Sequence, residues 1–185
     1  MKRSRRYLLG IAFLLFFASL THAERRHEVF NQLEIDQLRD AAQQPDIRLK
    51  LFVKFARLRL DALEQVRTDP KITDKPEATH DKLQDFLDVY DELNDNVDTY
   101  SDRRNDIRKS LKVIIEADTE FQAKLRALKD SANVTPEQAK PYEFLLSDAL
   151  EALDSSAQDH RQLLTEQEDA AKHKKLVKPD EISPN

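Results

Sequence analysis

The sequence predicts an all-α protein, and three observations carry that expectation. Gly10 is the only glycine in 185 residues, so the chain lacks the positive-φ positions that tight β-hairpins need. Apolar residues recur at helical spacing along most of the chain. The breaks between those stretches carry helix-cap residues rather than hairpin turns. The expected architecture is an elongated antiparallel helical bundle, coiled-coil-like, with three principal helices, the first interrupted at Pro45. The alternative is a four-helix bundle, if the stretch 77–130 breaks near 101–106.

Residues 1–23 read as a cleaved export signal. Lys2, Arg3, Arg5 and Arg6 form a positive start, Tyr7 to Leu20 an apolar core, and Thr21-His22-Ala23 a small-residue cleavage site. The fourteen-residue core is too short to span a bilayer. Ser4 to Leu9 resembles a twin-arginine signal, but the short basic start and strongly apolar core favour the general secretory route. Residues 24–178 form one helical domain, and 179–185 a polar tail.

Asn31 and Glu34 make an N-x-x-E capping box, with Phe30 and Ile35 at the positions of a hydrophobic staple. This predicts a helix from about Gln32 to Gln43, ended by Pro45. Pro45 then starts a helix reaching about Asp69. Its two apolar stripes, Ile47/Leu51/Phe55/Leu58/Ala62 and Leu49/Val53/Ala56/Leu60/Leu63, predict burial on more than one side. Pro70 to Pro76 is a turn. From Leu83 to Leu128 an apolar heptad runs through Phe86, Tyr90, Val97, Ile107, Ile114 and Phe121, interrupted only by Arg104 and Asp118. An unbroken register favours one continuous helix over 77–130, about 80 Å long. Asn133 is a C-cap candidate. Thr135-Pro136-Glu137-Gln138 starts the last helix, Pro141 offers a later start, and the helix runs to about Val177 before Pro179.

Composition removes whole classes of function. Without glycine in the mature chain there is no phosphate loop, dinucleotide fingerprint or nucleophile elbow. Without cysteine there is no disulfide framework, thiolate chemistry or lipoprotein anchor. Loss of the signal takes the formal charge from −5 to −9, which argues against nucleic-acid partners.

Few side chains suggest chemistry. Glu24–His27 and Glu77–His80 have the E-x-x-H spacing of di-metal bundles, but one pair sits at the mature terminus and the other in a first helical turn. His160 lies on a packing face and reads as a hydrogen-bonded core residue. Arg104 and Asp118 read as register-setting polar positions, each facing a partner helix. A basic run, Arg48, Lys50, Lys54, Arg57 and Arg59, and an acidic stripe, Asp81, Asp85, Asp88, Glu92 and Asp95, are expected to pair across an antiparallel hairpin. Lys172, Lys174, Lys175 and Lys178 oppose the last helix dipole and give a weak envelope-surface contact as a second reading.

Val134-Thr135-Pro136-Glu137-Gln138 resembles the LTxxQ motif of the Spy/CpxP family of periplasmic stress chaperones, in a single copy with Val for Leu. The resemblance implies a small exported helical protein that holds unfolded clients.

The expectation is an exported, non-enzymatic helical interaction or scaffold protein of the periplasm or cell exterior. It has no catalytic, cofactor or metal residues, and it has a protein partner or self-association through helix packing. The alternatives are a chaperone-like envelope protein and a helical-bundle metal or cofactor binder. The address is checked by mass-spectrometric sequencing of the exported protein. Cleavage after Ala23 leaves Glu24 as the first residue, whereas retention of residues 1–23 in a membrane fraction would replace export with an N-terminal anchor.

Overall fold

The computed structural model describes residues 28–131 and 134–176, with side chains through Lys174. The export segment, Glu24–His27, Asn133, Val177 and Pro179 lie outside the described residues. Six helices and no strand occur among the described residues: α1 (Gln32–Asp40), α2 (Pro45–Thr68), α3 (Lys75–Asp102), α4 (Arg108–Lys129), the single turn α5 (Pro136–Ala139) and α6 (Glu143–Leu176). The protein is an all-α bundle.

The capping box that starts α1 is complete. Asn31 Oδ1 accepts from the Glu34 N–H, and Glu34 Oε2 accepts from the Asn31 N–H, both at 3.0 Å. Phe30, just before the cap, sets its ring against Phe52 and Phe55 of α2, at 5.7 and 6.0 Å between centroids. The interruption at Pro45 is where the sequence puts it, and α1 ends a little early, at Asp40.

Four long helices make the core, with α2 packed on α3 and α4, and α6 packed on α4 and α3. The side-chain pairs give the directions. Asp46–Ser110, Arg57–Glu120, Asp61–Lys124 and Arg67–Ser131 ascend both helices together, so α2 and α4 run parallel. Lys112–Glu168, Asp118–His160 and Arg126–Asp154 run oppositely, so α4 and α6 are antiparallel. Phe86, Tyr90 and Phe121 meet at the centre with centroids 5.4–6.3 Å apart. Of the two stripes on α2, Leu49/Val53/Ala56/Leu60/Leu63 is buried, while Ile47 and Leu58 of the other remain 48% and 47% exposed.

The continuous helix over 77–130 is not formed. The chain leaves α3 after Asp102 and re-enters a helix at Arg108, so the alternative of four bundle helices holds and no 80 Å rod exists. Arg104 sits at φ 58°, the only non-glycine residue with positive φ among those described. The Arg104 N–H reaches the Ser101 carbonyl at 2.8 Å and the Asn105 N–H reaches the Tyr100 carbonyl at 3.0 Å, the two bonds of a Schellman cap. The heptad survives because Tyr100 ends the buried face of one helix and Ile107 begins that of the next. Seven-residue spacing does not separate one helix from two. Arg104, expected on the seam, is exposed at the tip of the connection.

A distant side chain holds this connection. Gln167 of α6 accepts from the Ile107 N–H and donates to the Asn105 carbonyl, both at 3.1 Å. Its amide thus stands in for a neighbouring peptide group.

The cap conformation makes Arg104→Gly a discriminating substitution. A left-handed arginine carries a penalty of roughly 1–2 kcal/mol that glycine avoids, partly offset by glycine's greater unfolded-state entropy. Arg104→Gly is therefore expected to raise stability by up to about 1 kcal/mol, read as a higher urea midpoint. In an unbroken helix the same change would lower stability by roughly 1 kcal/mol.

Candidate functional site

Three helices converge on one buried carboxylate. Asp118 of α4 is 0% exposed. Its Oδ1 accepts from the Tyr90 hydroxyl of α3 at 2.9 Å, and its Oδ2 accepts from His160 Nδ1 of α6 at 2.9 Å. Burial, then the charge and hydrogen bond of Asp118, hold the Tyr90 hydroxyl far above the usual phenol range. Ser156, one turn before His160, opposes that rise at Tyr90 and accepts from Asn94 Nδ2 at 3.1 Å.

Tyr90 donates to Asp118. Asn94 Oδ1 is buried and without a hydrogen-bond partner among the described residues. Asp118 thus does what the sequence expects of a polar seam residue, facing a partner helix, and His160 is the hydrogen-bonded core residue expected of it. What sequence reasoning misses is that these two positions meet each other and Tyr90. Three isolated polar positions on three helices give no local pattern to join them.

His160 Nε2 has no hydrogen-bond partner among the described residues. It lies beside a cavity of about 290 Å³ that Asn94, Ser101, Ser156 and Asp159 also line. A histidine oriented by a carboxylate through Nδ1 is the arrangement that frees Nε2 for proton transfer. The hydroxyls that share this cavity with His160 are those of Ser101 and Ser156, and Ser156 accepts from Asn94.

The remaining candidates are scattered. Glu77 is exposed, and His80 meets only Asp81, at 3.4 Å. Among the described residues no three His, Cys, Asp or Glu side chains converge to hold a metal ion, and no helix is long and apolar enough to cross a membrane. Thr135 and Gln138 of the chaperone-like motif form a reciprocal capping box at α5, so both side chains serve the helix start.

The basic run on α2 does not form the expected ladder with the acidic stripe on α3. Arg57 grips Glu120 of α4 with two nitrogens, at 2.7–3.1 Å. Arg59 pairs with Glu34 at 2.6 Å, and Arg48 bonds Asn96 and the Leu38 carbonyl. The reason is helical phase. Arg57 and Asp61 share the α2 flank that turns toward α4, where Glu120 and Lys124 stand four residues apart to meet them. For Glu34, burial pushes the carboxyl pKa up. Hydrogen bonds from Arg59 and the Asn31 N–H, with the charges of Arg59 and Lys54, outweigh it and leave the pKa below the usual glutamate value.

Lys50 and Lys54 carry no ion pair among the described residues, and Lys54 lies over the Phe55 ring at 5.8 Å. They flank Ile47 and Leu58, which stand on the side of α2 opposite its buried stripe. Leu33 of α1 is 68% exposed. The outside of α2 therefore carries apolar side chains with a basic edge, while on α1 Asp36 and Asp40 stand at i+3 and i+7 from Leu33.

No protein-family model, curated protein or solved structure matches this chain.

The carboxylate hub sets an order of stabilities. Asp118→Ala orphans two buried donors and is expected to destabilise by about 3 kcal/mol, whereas Tyr90→Phe removes one hydroxyl and is expected to cost roughly 1–2 kcal/mol. Chemical denaturation of both variants checks the order. Equal, near-wild-type midpoints would show that the three-helix junction contributes nothing.

Proposed function

We propose that the protein is an exported, non-enzymatic helical interaction protein whose partner face is the outside of α2. The observation that carries this reading is the α2 stripe: Ile47, the half-buried Leu51 and Leu58 recur at i, i+4, i+11 on the solvent side, with Lys50 and Lys54 beside them and unpaired among the described residues. Two exposed apolar positions in line with the half-buried Leu51 match the anchor spacing by which one helix receives another. The partner of fitting chemistry is an amphipathic helix with carboxylates along one edge. Self-association through the same face is disfavoured, since a two-fold contact sets each lysine pair against its own copy.

A photo-crosslinking residue at position 58 tests the reading, with position 95 on the outside of α3 as the control. In the producing cells a discrete adduct is expected from position 58 alone. Ile47→Glu is expected to abolish it while shifting stability by less than about 0.5 kcal/mol, as at other surface positions. Equal adducts from both positions, or an adduct indifferent to Ile47→Glu, would overturn the assignment of the face. A ladder of many adducts would instead favour the client-holding alternative that the chaperone resemblance implies.

A further inference from the structure

A further cavity lies away from both places described above. It has a volume of about 530 Å³ and opens at the end of the bundle where α2 and α4 finish and α3 and α6 begin. Such a volume suits a small molecule. Arg67 from the last turn of α2 and Lys75 from the start of α3 both line it. In this acidic chain neither cation has a carboxylate partner among the described residues. Arg67 donates to Ser131 Oγ at 3.1 Å and Lys75 to the Arg67 carbonyl at 2.8 Å, and both acceptors are neutral.

The only carboxylate on the wall, Glu64, is engaged by Lys124 at 3.4 Å. Helix dipoles do not make up the difference. Each is worth about half a charge, and two C-termini meet two N-termini at this end, so they largely cancel. The cavity therefore holds an excess of positive charge. Its other walls suit an organic body: Pro76, Val134 and the ring of Tyr142, with the hydroxyls of Thr68 and Ser131 near the cations. Arg67 acts on the Tyr142 hydroxyl as well, opposing the upward push that burial gives its pKa.

We propose that this cavity binds a small organic oxyanion, a carboxylate or phosphate ester with a short apolar body, gripped by Arg67 and Lys75. An arginine fork with an adjacent ammonium is suited to a planar or tetrahedral oxyanion. The apolar wall accepts the remainder of the molecule.

Calorimetric titration of the mature chain with octanoate, octylammonium and inorganic phosphate tests the proposal. Octanoate is expected to bind saturably, to be displaced by phosphate and weakened by salt, while octylammonium does not bind. Lys75→Gln and Arg67→Gln are each expected to weaken octanoate at least tenfold, the loss of one charge-assisted bond. Melting curves accompany both variants. Should Arg67→Gln unfold through loss of its Ser131 bond, Lys75→Gln decides alone, since glutamine keeps a donor at that position. Equal binding of octylammonium, an octanoate affinity unchanged in Lys75→Gln, or no saturable binding of octanoate would each overturn the site. Co-sedimentation with phosphatidylglycerol vesicles that requires the same two residues would identify the oxyanion as a lipid headgroup. Octanoate binding without co-sedimentation would identify it as a free molecule.

Discussion

The arrangement of the long helices depends on a carboxylate with no access to water. Asp118 touches Tyr90 and His160, and through them it fixes α3, α4 and α6 at one level. A hydrophobic seam tolerates sliding by a turn, because one leucine layer resembles the next. A buried carboxylate does not. Shifted by a turn it would lose both donors, and an unpaired charge in the core is far more costly than a lost apolar contact. The aromatic cluster of Phe86, Tyr90 and Phe121 sits against the same point, so apolar packing and the polar junction specify one register.

The second constraint is the absence of glycine from the described chain. Every connection must be made by residues that resist left-handed geometry. The turn between α2 and α3 uses two prolines and aspartates, and α1 joins α2 through Pro45. The α3–α4 connection has no proline, and there Arg104 takes the positive φ itself. The strain is met by two Schellman bonds and by Gln167 reaching across from α6. The two Schellman bonds are local, whereas the Gln167 bonds exist only once α6 is packed beside this corner.

These two constraints explain what was legible in the sequence. The Asn31/Glu34 and Thr135/Gln138 caps are four-residue devices, complete within their own segments, and both form. The interruption at Pro45 follows from one ring. The α3–α4 break was hidden because Tyr100 and Ile107 are seven apart whether a helix or a cap lies between them. The polar run Ser101 to Asp106 was the local signal. Without glycine it could be weighed only against a heptad of apolar positions that pointed the other way. At the candidate site, burial of Asp118 and His160 was readable from periodicity. Their meeting with Tyr90 was not, since it depends on which helices are neighbours.

Neighbour relations also decide the electrostatics. Reading α2 and α3 as a hairpin assigns the α2 cations to the nearest acidic stripe in sequence, yet Arg57 and Lys124 instead stitch α2 to α4, more than sixty positions apart. The two contacts are complementary, with a cation from each helix and a carboxylate from each. Half-exposed pairs of this kind add little to stability singly. Their effect is on selection: sliding the two parallel helices by one turn would set Arg57 beside Lys124 and Asp61 away from its partner, and like charges in contact penalise that register. Lys50 and Lys54 on the outside and Arg67 and Lys75 at the bundle end are among the cations that carry no ion pair among the described residues. They are the charges on which both proposals of an anionic partner rest.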